Sequence, residues 1–468
     1  MTTAIPTTDL RQKFVGLNVE VPTLSGQNVD YINFDNAAST PPLKSVMEGI
    51  NNFVELYSSV HRGTGFKSQL STWAYEESRQ ETMRFVGANL EQHTCMFGKN
   101  TTEAINKLSK RLDLGPEDVI LTSTMEHHSN DLPFRAVGEV VHIGLLPDGR
   151  LDEDDFDQKL ARYKDRVKLV AVTGASNVTG YLNPIHRLAE KTHQAGTYFL
   201  ADVAQLAPHR QVDMRSLDDP GHLDFVALSG HKLYAPFGTG ALIGRKDVFE
   251  HGDPDMRGGG TVEIVTLGEV YWAEPPDRDE AGSPNVVGAV AMGLAMRALQ
   301  EIGMDTVAAH EAELTARALE RLTQIEGVHI FGDTSIENVK QRLGVIPFQI
   351  EGLSHFLAAA ILGHEFGIGV RSGCFCAHPY VLHLLGLTES QAGKVRDQML
   401  SGDKSQMPGL IRTSFGLYNS LEEVDRFADA IEAIASGRYQ GTYHQDTASG
   451  EYLPEGWQPD FESYFDLS

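Results

Sequence analysis

Residues 223–232 read LDFVALSGHK. The apolar run in this stretch is short and ends in polar turn residues, a pattern that is typical of a buried strand. A lysine at the end of such a strand holds its ammonium group away from water, which is costly unless the lysine has chemical work. The stretch therefore predicts a reactive role for Lys232. A surface lysine that simply follows the strand is the structural alternative.

A second apolar run, TYFLAD at residues 197–202, ends in an aspartate. Lysines at the ends of buried strands are the usual Schiff-base formers. The carboxylate of Asp202 would keep a pyridine nitrogen protonated, which lets the ring accept electrons. Ser229 and His231, beside Lys232, suit a phosphate group. Together these residues predict a pyridoxal phosphate site.

The segments SGHKLY at residues 229–234 and DVAQ at residues 202–205 resemble the signature of the class V aminotransferase-fold enzymes. The chain is most similar to the cysteine desulfurases and selenocysteine lyases of the short-loop kind. The resemblance runs in order from about residue 31 to about residue 435. It implies an α/β protein of pyridoxal phosphate fold type I, with a mostly parallel sheet in a large domain and a smaller α+β domain.

The order of the apolar runs agrees with that fold class. Strand-like runs alternate with helical periodicity between residues 70 and 245, which favours a mostly parallel sheet covered on both faces. Ligands of such sheets bind at the carboxyl ends of the strands, where Asp202 and Ser229 fall. The predicted strands are residues 118–122, 140–144, 168–173, 197–202, 224–228 and 240–244 in the large domain, and 341–350, 367–371 and 412–415 in the small one. The predicted helices are residues 8–15, 184–194, 286–302, 306–324, 354–366 and 421–435.

Four regions follow from this pattern. They are an N-terminal segment at residues 1–30 that packs with the small domain, a large cofactor-binding domain at 31–285, a small domain at 286–436, and a tail at 437–468. The small domain contains a polar insertion at residues 388–410, which is interpreted as an ordered lid, a docking element or a mobile segment. The tail has no helical period, which favours mobility or packing on a neighbouring subunit.

The amino-acid composition limits which binding partners and which cellular compartment are expected. The formal net charge of −25 argues against nonspecific binding to nucleic acid or to an anionic membrane, since both need clustered basic residues. Three cysteines in 468 residues do not make a disulfide framework, and reduced thiols fit the cytosol. No signal peptide and no apolar run of membrane-spanning length is recognisable. We therefore expect a soluble cytoplasmic protein.

Thr101 and Thr102 open a helical pattern after a short apolar run at residues 94–97. The free N–H groups and the dipole at a helix N-terminus suit a phosphate. An ordinary helix-capping threonine is the alternative. Together with Ser229 and His231, the two threonines predict the phosphate end of the cofactor site.

The family resemblance implies further contacts to the cofactor. It implies that His127 stacks on the pyridine ring and helps to move protons, and that Gln205 donates a hydrogen bond to the phenolic oxygen. Asn177 would lie at the same edge of the ring, although a turn-forming asparagine is an equal alternative. Thr261, after the glycines at residues 258–260, would reach the phosphate held by a second subunit. The resemblance therefore predicts a homodimer.

The sulfur chemistry is predicted from residues 371–378, which read RSGCFCAH. This run resembles the R-x-G-x-x-C pattern of the short-loop desulfurases, and Cys376 holds the position of the nucleophile. A thiolate is the soft nucleophile that can take a sulfur atom from cysteine. Cys374 stands where the commonest pattern has histidine, and the R-x-G-C-F-C run is similar to that of molybdenum cofactor sulfurases.

Two other interpretations of this run remain. The cysteines with His378 supply too few well-spaced ligands for a zinc site, so no metal is predicted. Both thiols could instead be inert fillers of a loop.

Substrate contacts are also implied by the resemblance. Arg412 would hold the substrate carboxylate in a bidentate pair, with an interdomain ion pair as the alternative. Arg371, Asn36 and His61 would line the substrate mouth, together with Asn177.

The predicted function is a cysteine desulfurase that depends on pyridoxal phosphate. It converts L-cysteine to L-alanine and leaves a persulfide on Cys376, from which an acceptor protein or a small thiol collects the sulfur. Catalysis would rest on Lys232, Cys376 and His127. One alternative is another class V enzyme, such as a C–S or selenocysteine lyase, an epimerase or an aminotransferase, because the fold does not fix which bond breaks. A scaffold or sulfur-relay protein that binds the cofactor only structurally is the non-enzymatic alternative.

Overall fold

The structure is a computed structural model that describes residues 10–468. A seven-stranded sheet forms the centre of the large domain. In spatial order its strands are His93–Gly98, Gly240–Arg245, Phe225–Ser229, Tyr198–Asp202, Val167–Thr173, Val119–Ser123 and Glu139–Ile143. The last five run parallel to one another, and Gly240–Arg245 runs antiparallel to both of its neighbours. The predicted, mostly parallel α/β fold is confirmed.

The strands of this sheet are almost continuously apolar because both faces are covered. Every residue of Phe225–Ser229 and of Val119–Ser123 is buried. A strand buried on both faces gains from β-branched and aromatic side chains at every position. The six predicted strands of this sheet agree with the structure to within one residue at every end. The edge strand His93–Gly98 was not predicted as part of the sheet.

The parallel strands bring distant residues to one edge. Thr173 and Asp202 are register partners at the carboxyl ends of neighbouring strands, and Ser229 ends the next strand along. The helix N-terminus at Thr101 reaches the same edge, because the Thr101 N–H donates to Ser229 Oγ at 2.8 Å. This edge therefore gathers polar groups from four segments far apart in the sequence.

Helices cover both faces of the large sheet and one side of the small one. The helices that lie wholly within residues 10–468 are Lys44–Leu56, Phe66–Phe85, Thr101–Arg111, Leu132–Arg135, Glu153–Tyr163, Ile185–Gln194, Lys246–Phe249, Val286–Ile302, Met304–Leu322, His355–Phe366, His378–Leu384, Glu389–Leu400 and Leu421–Ala435. Among residues 10–468, no single helix is both long enough and apolar enough to cross a membrane; the pair Val286–Ile302 and Met304–Leu322 passes that test only jointly, across a bend of 78°.

The small domain is built on a four-stranded antiparallel sheet. Its strands, in spatial order, are Val328–Ile330, Val345–Ile350, Leu410–Ser414 and Arg371–Gly373. The strand expected at residues 367–371 is divided in two. Ile368–Gly369 pairs in parallel with Ile32–Asn33, whereas Arg371–Gly373 joins the four-stranded sheet. The loop that carries the two cysteines begins directly after Arg371–Gly373.

The helix Val286–Ile302, which the predicted boundary assigns to the small domain, packs on helices of the large domain. A Cβ atom on Gly293 would come within 3.2 Å of Ser78 Cα, so glycine permits the close approach of this helix to Phe66–Phe85. Met304–Leu322, in contrast, contributes Leu319 and Leu322 to the core of the small domain.

The N-terminal residues join the two domains. Phe14 packs edge-on against Tyr234 of the large domain and Tyr418 of the small domain. Arg11 donates to the Tyr418 carbonyl and to Glu423. Two short strands, Glu20–Pro22 and Asn28–Asp30, follow. Part of the predicted helix at residues 8–15 lies outside the described residues.

The insertion and the tail are ordered next to each other. The insertion begins with the exposed helix Glu389–Leu400, whose first turn is closed by a capping box between Thr388 and Gln391. The tail forms a hairpin of Tyr443–Gln445 and Tyr452–Pro454. The Gln445 side chain donates to the Ser405 carbonyl of the insertion at 3.1 Å. This part of the tail therefore packs on its own chain. A further short hairpin, Val262–Val265 with Val270–Trp272, projects from the large domain.

Candidate active site

A cavity of about 320 Å³ lies at the carboxyl edge of the large sheet, where the small domain covers it. Small-molecule sites occur preferentially at such edges and between domains. The cavity is lined by Ala37, Ala38, Asn100, Thr101, Thr102, His127, Ser129, Thr173, Asn177, Asp202, Ala204, Gln205, Ser229, His231, Lys232, Arg371, Phe375, Cys376 and Arg412. Most of the residues that the sequence predicted for cofactor, substrate and sulfur thus meet in one place.

Lys232 ends a 3₁₀ turn, Gly230–Lys232, that directly follows the buried strand Phe225–Ser229. Burial lowers the pKa of its amine to about 8, with Asp202 opposing the shift and Arg412 adding to it. An amine with that pKa has a substantial neutral fraction near pH 7.5, and the neutral amine is the form that attacks a carbonyl. This buried environment does not agree with the alternative interpretation, in which Lys232 is a surface residue.

Asp202 ends the neighbouring strand and is 4% exposed. Its carboxylate accepts a hydrogen bond from the Ala204 N–H at 2.9 Å, and it forms no ion pair within the described range 10–468. Burial raises the pKa of this carboxyl group. A buried carboxylate that faces a cavity without a cationic partner is suited to a protonated ring nitrogen of a ligand.

The phosphate end of the predicted site is built on the helix that begins at Thr101. Asn100 caps this helix, because its side-chain oxygen accepts from the Glu103 N–H at 3.0 Å. The hydroxyl groups of Thr101 and Thr102 are therefore not needed as caps. The hydroxyl groups of Thr101 and Ser229 form a hydrogen bond of 2.7 Å. The hydroxyl pair and the N–H groups of the helix terminus make a cradle of donors that suits an oxyanion.

His127 also lines the cavity. Its Nδ1 accepts from the Ser129 N–H at 3.1 Å, which leaves the proton of the neutral ring on Nε2. Burial, reinforced by the charge of Lys232, lowers the pKa of the ring to about 3. The Ser129 hydroxyl lies 3.0 Å from Nδ1 and 2.7 Å from the Thr102 hydroxyl. His127 is therefore a neutral, oriented imidazole at neutral pH.

Gln205 and Asn177 line the cavity, and each also holds a neighbouring segment in place. The Gln205 amide donates to the Ala37 carbonyl at 2.7 Å. The Asn177 amide donates to the Phe375 carbonyl at 2.8 Å. His231 lies at the edge of the cavity, and burial lowers the pKa of its ring to about 4. Asn177 thus does more than form a turn, since it joins the large domain to the loop that carries the cysteines.

Arg412 comes from the buried strand Leu410–Ser414 and is 3% exposed. Its Nη1 donates to the Asn177 carbonyl at 2.9 Å, and its Nη2 lies 3.1 Å from an Asp35 carboxylate oxygen. Its Nε has no hydrogen-bond partner within residues 10–468. Arg371, half-exposed at the rim, pairs with the other oxygen of Asp35 at 2.8 Å. A buried guanidinium with an unused N–H beside a cavity is suited to an anionic substrate group.

The loop of residues 374–377 carries two consecutive non-glycine residues in the left-handed region, Phe375 at φ 53° and Cys376 at φ 54°. Each such residue costs on the order of 1 kcal/mol, so other contacts must hold the loop. Asn177 donates to the Phe375 carbonyl, and the His128 N–H donates to the Cys376 carbonyl at 2.8 Å. The Arg412 guanidinium lies 4.8 Å from the centre of the Phe375 ring. These contacts fix the exposed Cys376 at the cavity wall.

The two cysteines of this loop have different environments. Cys376 is exposed and lines the cavity. Cys374 is buried, its thiol donates to the Pro408 carbonyl at 3.0 Å, and burial raises its pKa to about 12. A thiol with that pKa stays protonated at neutral pH and is a poor nucleophile. Cys374 instead ties the loop to the C-terminal end of the insertion.

Three predicted site residues do not line this cavity. Asn36 is buried, packs against Gly416, and lies 3.5 Å from His209 Nε2, so its side chain does not reach the cavity. His61 is exposed and lines a separate cleft beside Gly260 and Asp277. The Thr261 hydroxyl donates to the Gly258 carbonyl of its own loop at 2.8 Å.

Three contributions were not predicted from the sequence. Asp35 joins Arg412 to Arg371, Ser129 orients His127, and the His128 main chain holds the Cys376 loop. Only Ser129 had a local signal, because a serine two positions after a histidine can bond to its ring. The other two contacts depend on how the domains meet.

Comparison with known proteins agrees with this site. The model of the aminotransferase class V family matches residues 32–427. A probable cysteine desulfurase of Halalkalibacterium halodurans is 32% identical over 433 residues, which cover 91% of this chain and 97% of that protein. A cysteine desulfurase of Haloferax volcanii is 33% identical over 411 residues, covering 86% of this chain and 89% of that protein. The apo structure of a cysteine desulfurase from Thermococcus onnurineus superposes with a TM-score of 0.78 at 33% identity and covers 93% of this chain and 100% of that one.

The predicted fold and family resemblance are thereby confirmed over most of the sequence. Since the family model spans residues 32–427 and the relatives match along nearly their whole length, the chain belongs to the class V aminotransferase family and, within it, to the cysteine desulfurases.

Proposed function

We propose that the protein removes the sulfur atom of L-cysteine and releases L-alanine, with a persulfide formed on Cys376. The observation that carries the proposal is the presence of the exposed Cys376 thiol in the same cavity as the Lys232 amine and the Arg412 guanidinium. A cavity that only bound or transaminated an amino acid would need the amine and the guanidinium but no thiol.

The cavity fits pyridoxal phosphate in the chemistry of its donor set. Lys232 would hold the aldehyde carbon, the Asp202 carboxylate the ring nitrogen, and Thr101, Thr102, Ser229 and His231 the phosphate. Gln205 and Asn177 would face the phenolic edge, and His127 the ring. When bound, this cofactor supplies an electron sink for the carbon atom next to the substrate amine.

Substrate binding rests on Arg412. Its guanidinium would donate to the carboxylate of cysteine through the N–H group that has no partner. The contacts with Asp35 and the Asn177 carbonyl would hold the plane of the guanidinium in place. The Phe375 ring packs on this guanidinium, and Cys376 is the next residue in the chain. A substrate whose carboxylate is bound by Arg412 would therefore have its side chain near Cys376. Lys232, once free, would remove the proton from the substrate Cα.

The sulfur step uses the Cys376 thiolate. A sulfur–sulfur bond forms between Cys376 Sγ and the substrate sulfur while the substrate C–S bond breaks. The electron pair of the broken bond stays on the substrate carbon, and protonation of that carbon gives the methyl group of alanine. The oxidised sulfur remains on Cys376 as a persulfide, from which an acceptor protein or a thiol collects it.

The assembly that we propose is a homodimer. The hairpin Val262–Val265 with Val270–Trp272 exposes Ile264, Leu267 and Tyr271, and Leu267 at its tip has no cover within the described chain. An exposed apolar hairpin of this kind marks a protein interface. Thr261 and His61 lie beside it, so a second copy seated on the hairpin would bring both residues near a partner's cavity.

Product analysis tests the proposed reaction. Holoenzyme given L-cysteine and excess dithiol is expected to release alanine and sulfide in equal amounts. Without the dithiol, alanine formation should stop near one equivalent per active site and no sulfide should appear, because the sulfur stays on Cys376 as a persulfide. Pyruvate and ammonia as the main products would contradict the proposal and favour a C–S lyase.

Replacement of Arg412 by lysine tests substrate binding. The ammonium group keeps the charge but loses the planar fork, so the KM for L-cysteine is expected to rise roughly 10–100-fold. The matched control is Arg187→Lys, which changes an exposed pair with Glu153 that does not line the cavity. Steady-state kinetics with both variants decide the point, and an unchanged KM in Arg412→Lys would contradict a role in carboxylate binding.

A further inference from the structure

The hairpin of the tail, residues 443–454, lies beyond residues 32–427, which the family model matches. Glu365 anchors this hairpin to the small domain. Its carboxylate accepts a hydrogen bond from the Tyr443 hydroxyl at 2.9 Å and two from the main-chain N–H groups of residues 440 and 441, at 2.8 and 3.0 Å. The hairpin is therefore firmly attached, although no step of the proposed reaction uses it.

The hairpin contacts the last part of the insertion, residues 404–409, which we call the brace. The Lys404 N–H donates to the Thr447 carbonyl at 2.7 Å, and the Gln445 side chain donates to the Ser405 carbonyl at 3.1 Å. The brace itself contains neither helix nor strand. Its main chain thus depends on contacts with other segments for the hydrogen bonds that regular structure would supply.

Gly450 allows the hairpin to approach the brace closely. Its φ is +84°, and a Cβ atom there would lie 2.9 Å from the Lys404 carbonyl oxygen and 2.8 Å from two carbon atoms of the Phe356 ring. Gly456, in the same tail, also has a positive φ, of +72°, but a Cβ atom there would have no heavy atom within 4 Å apart from its chain neighbours. Both positions favour glycine by their φ, and only Gly450 needs it for a close contact.

The other end of the brace contacts the segment that carries the two cysteines. A Cβ atom on Gly409 would lie 2.7 Å from Gly373 Cα, so the two main chains are in direct contact. The Cys374 thiol donates to the Pro408 carbonyl at 3.0 Å. Because packed segments resist compression, a displacement of the brace moves the segment that packs against it.

The loop of residues 374–377 needs support on both sides, because Phe375 and Cys376 lie in the left-handed region. On the side of the large domain, the Asn177 side chain and the His128 N–H hold the carbonyl groups of these two residues. On the other side, the brace holds the residues at the start of the loop. The position of the loop therefore depends on the brace, and the brace depends on the hairpin.

We propose that the tail hairpin positions Cys376 for its attack on the substrate sulfur, acting through the brace and Gly373. The proposal rests on the proposed function, in which Cys376 is the nucleophile. A misplacement of about 1 Å can lower the rate of such a step roughly 10²-fold. Substrate and cofactor binding rest instead on Arg412 and Lys232. Loss of the contact between hairpin and brace should therefore lower kcat and leave the KM for L-cysteine nearly unchanged.

Gly450→Ala in the holoenzyme tests the proposal, with Gly456→Ala as the matched control. Both substitutions place a side chain at a positive φ, and only the first pushes the hairpin away from the brace. In Gly450→Ala we expect kcat for alanine release with excess dithiol to fall roughly tenfold, while KM stays within about threefold. Gly456→Ala should keep both constants. Gln445→Ala, which removes a hydrogen bond to the brace without adding a group, should lower kcat about two- to threefold.

Alkylation of Cys374 gives a second readout, which does not depend on turnover. In the wild type, iodoacetamide should modify the exposed Cys376 and spare Cys374, which is buried beside Pro408. Displacement of the brace uncovers Cys374, so peptide mass spectrometry should show that this thiol is modified at least about tenfold faster in Gly450→Ala. In Gly456→Ala the thiol should be as well protected as in the wild type.

Unchanged kcat together with unchanged protection of Cys374 in Gly450→Ala would overturn the proposal. Equal losses of kcat, cofactor absorbance and thermal unfolding midpoint in Gly450→Ala and Gly456→Ala would also overturn it, since the tail would then only stabilise the fold. Pyruvate formation by the wild type would instead contradict the proposed function. The alkylation of Cys374 would in that case decide alone whether the hairpin positions the loop.

Discussion

Replacement of Lys232 by alanine is expected to remove the covalently held cofactor and to lower the rate of alanine release by at least about 10³-fold, because both Schiff-base formation and proton transfer at Cα are lost. The cradle of Thr101, Thr102 and Ser229 is unchanged by the substitution, so the variant should still take up pyridoxal phosphate reversibly. Borohydride reduction followed by peptide mass spectrometry should show the adduct on Lys232 in the wild type and none in the variant.

The matched control for this experiment is Lys340→Ala, which removes an exposed lysine from the small domain. It should keep both the adduct on Lys232 and the rate of turnover. An adduct on another lysine in Lys232→Ala, or alanine release within tenfold of the wild type, would contradict the assignment. The pKa of about 8 gives the experiment a second readout, since cofactor capture by apoprotein should become faster as the pH rises from 6 to 8.

Local sequence patterns were sufficient for the centre of the large domain. The strands that end at Asp202 and Ser229 are short apolar runs followed by polar turns, and burial on both faces requires that pattern. Lys232, Asp202 and the helix N-terminus at Thr101 met in the cavity because carboxyl ends of parallel strands share one edge. The positions of these three residues follow from the order of strands and helices along the chain, which the pattern of apolar segments already indicates.

Features that depend on contacts between distant segments could not be predicted. The apolar run at residues 367–371 looks like one strand, yet its two halves pair with different partners, Ile32–Asn33 and Leu410–Ser414. The sequence predicts Asn36 at the substrate mouth. In the structure the Asn36 side chain instead fills the space beside Gly416, which has no side chain. Periodicity carries no information about either choice.

The contact of Asp35 with Arg412 has the same origin. Asp35 is separated from Arg412 by 377 residues, and only the meeting of the two domains makes it the partner of that guanidinium.

Replacement of Cys376 by alanine is expected to abolish the release of alanine and sulfide from L-cysteine while the cofactor stays bound. No other group in the cavity can form the sulfur–sulfur bond, because the second thiol of the loop is buried and its pKa is about 12. We expect a loss of at least roughly 10³-fold in kcat, since the nucleophile of a covalent step is removed. Absorbance of the bound cofactor should be equal in variant and wild type.

Cys374→Ala is the matched control, because it removes the neighbouring thiol of the same loop. The substitution loses one weak hydrogen bond to the Pro408 carbonyl and leaves the contacts of Asn177 and His128 to the loop intact. Alanine release should therefore stay within a few-fold of the wild type, and mass spectrometry of the protein after one turnover should place the extra sulfur on Cys376. Normal activity in Cys376→Ala together with loss of activity in Cys374→Ala would show that Cys374, and not Cys376, is the nucleophile. Activity in both variants would show that sulfur leaves without a protein nucleophile, as in a lyase.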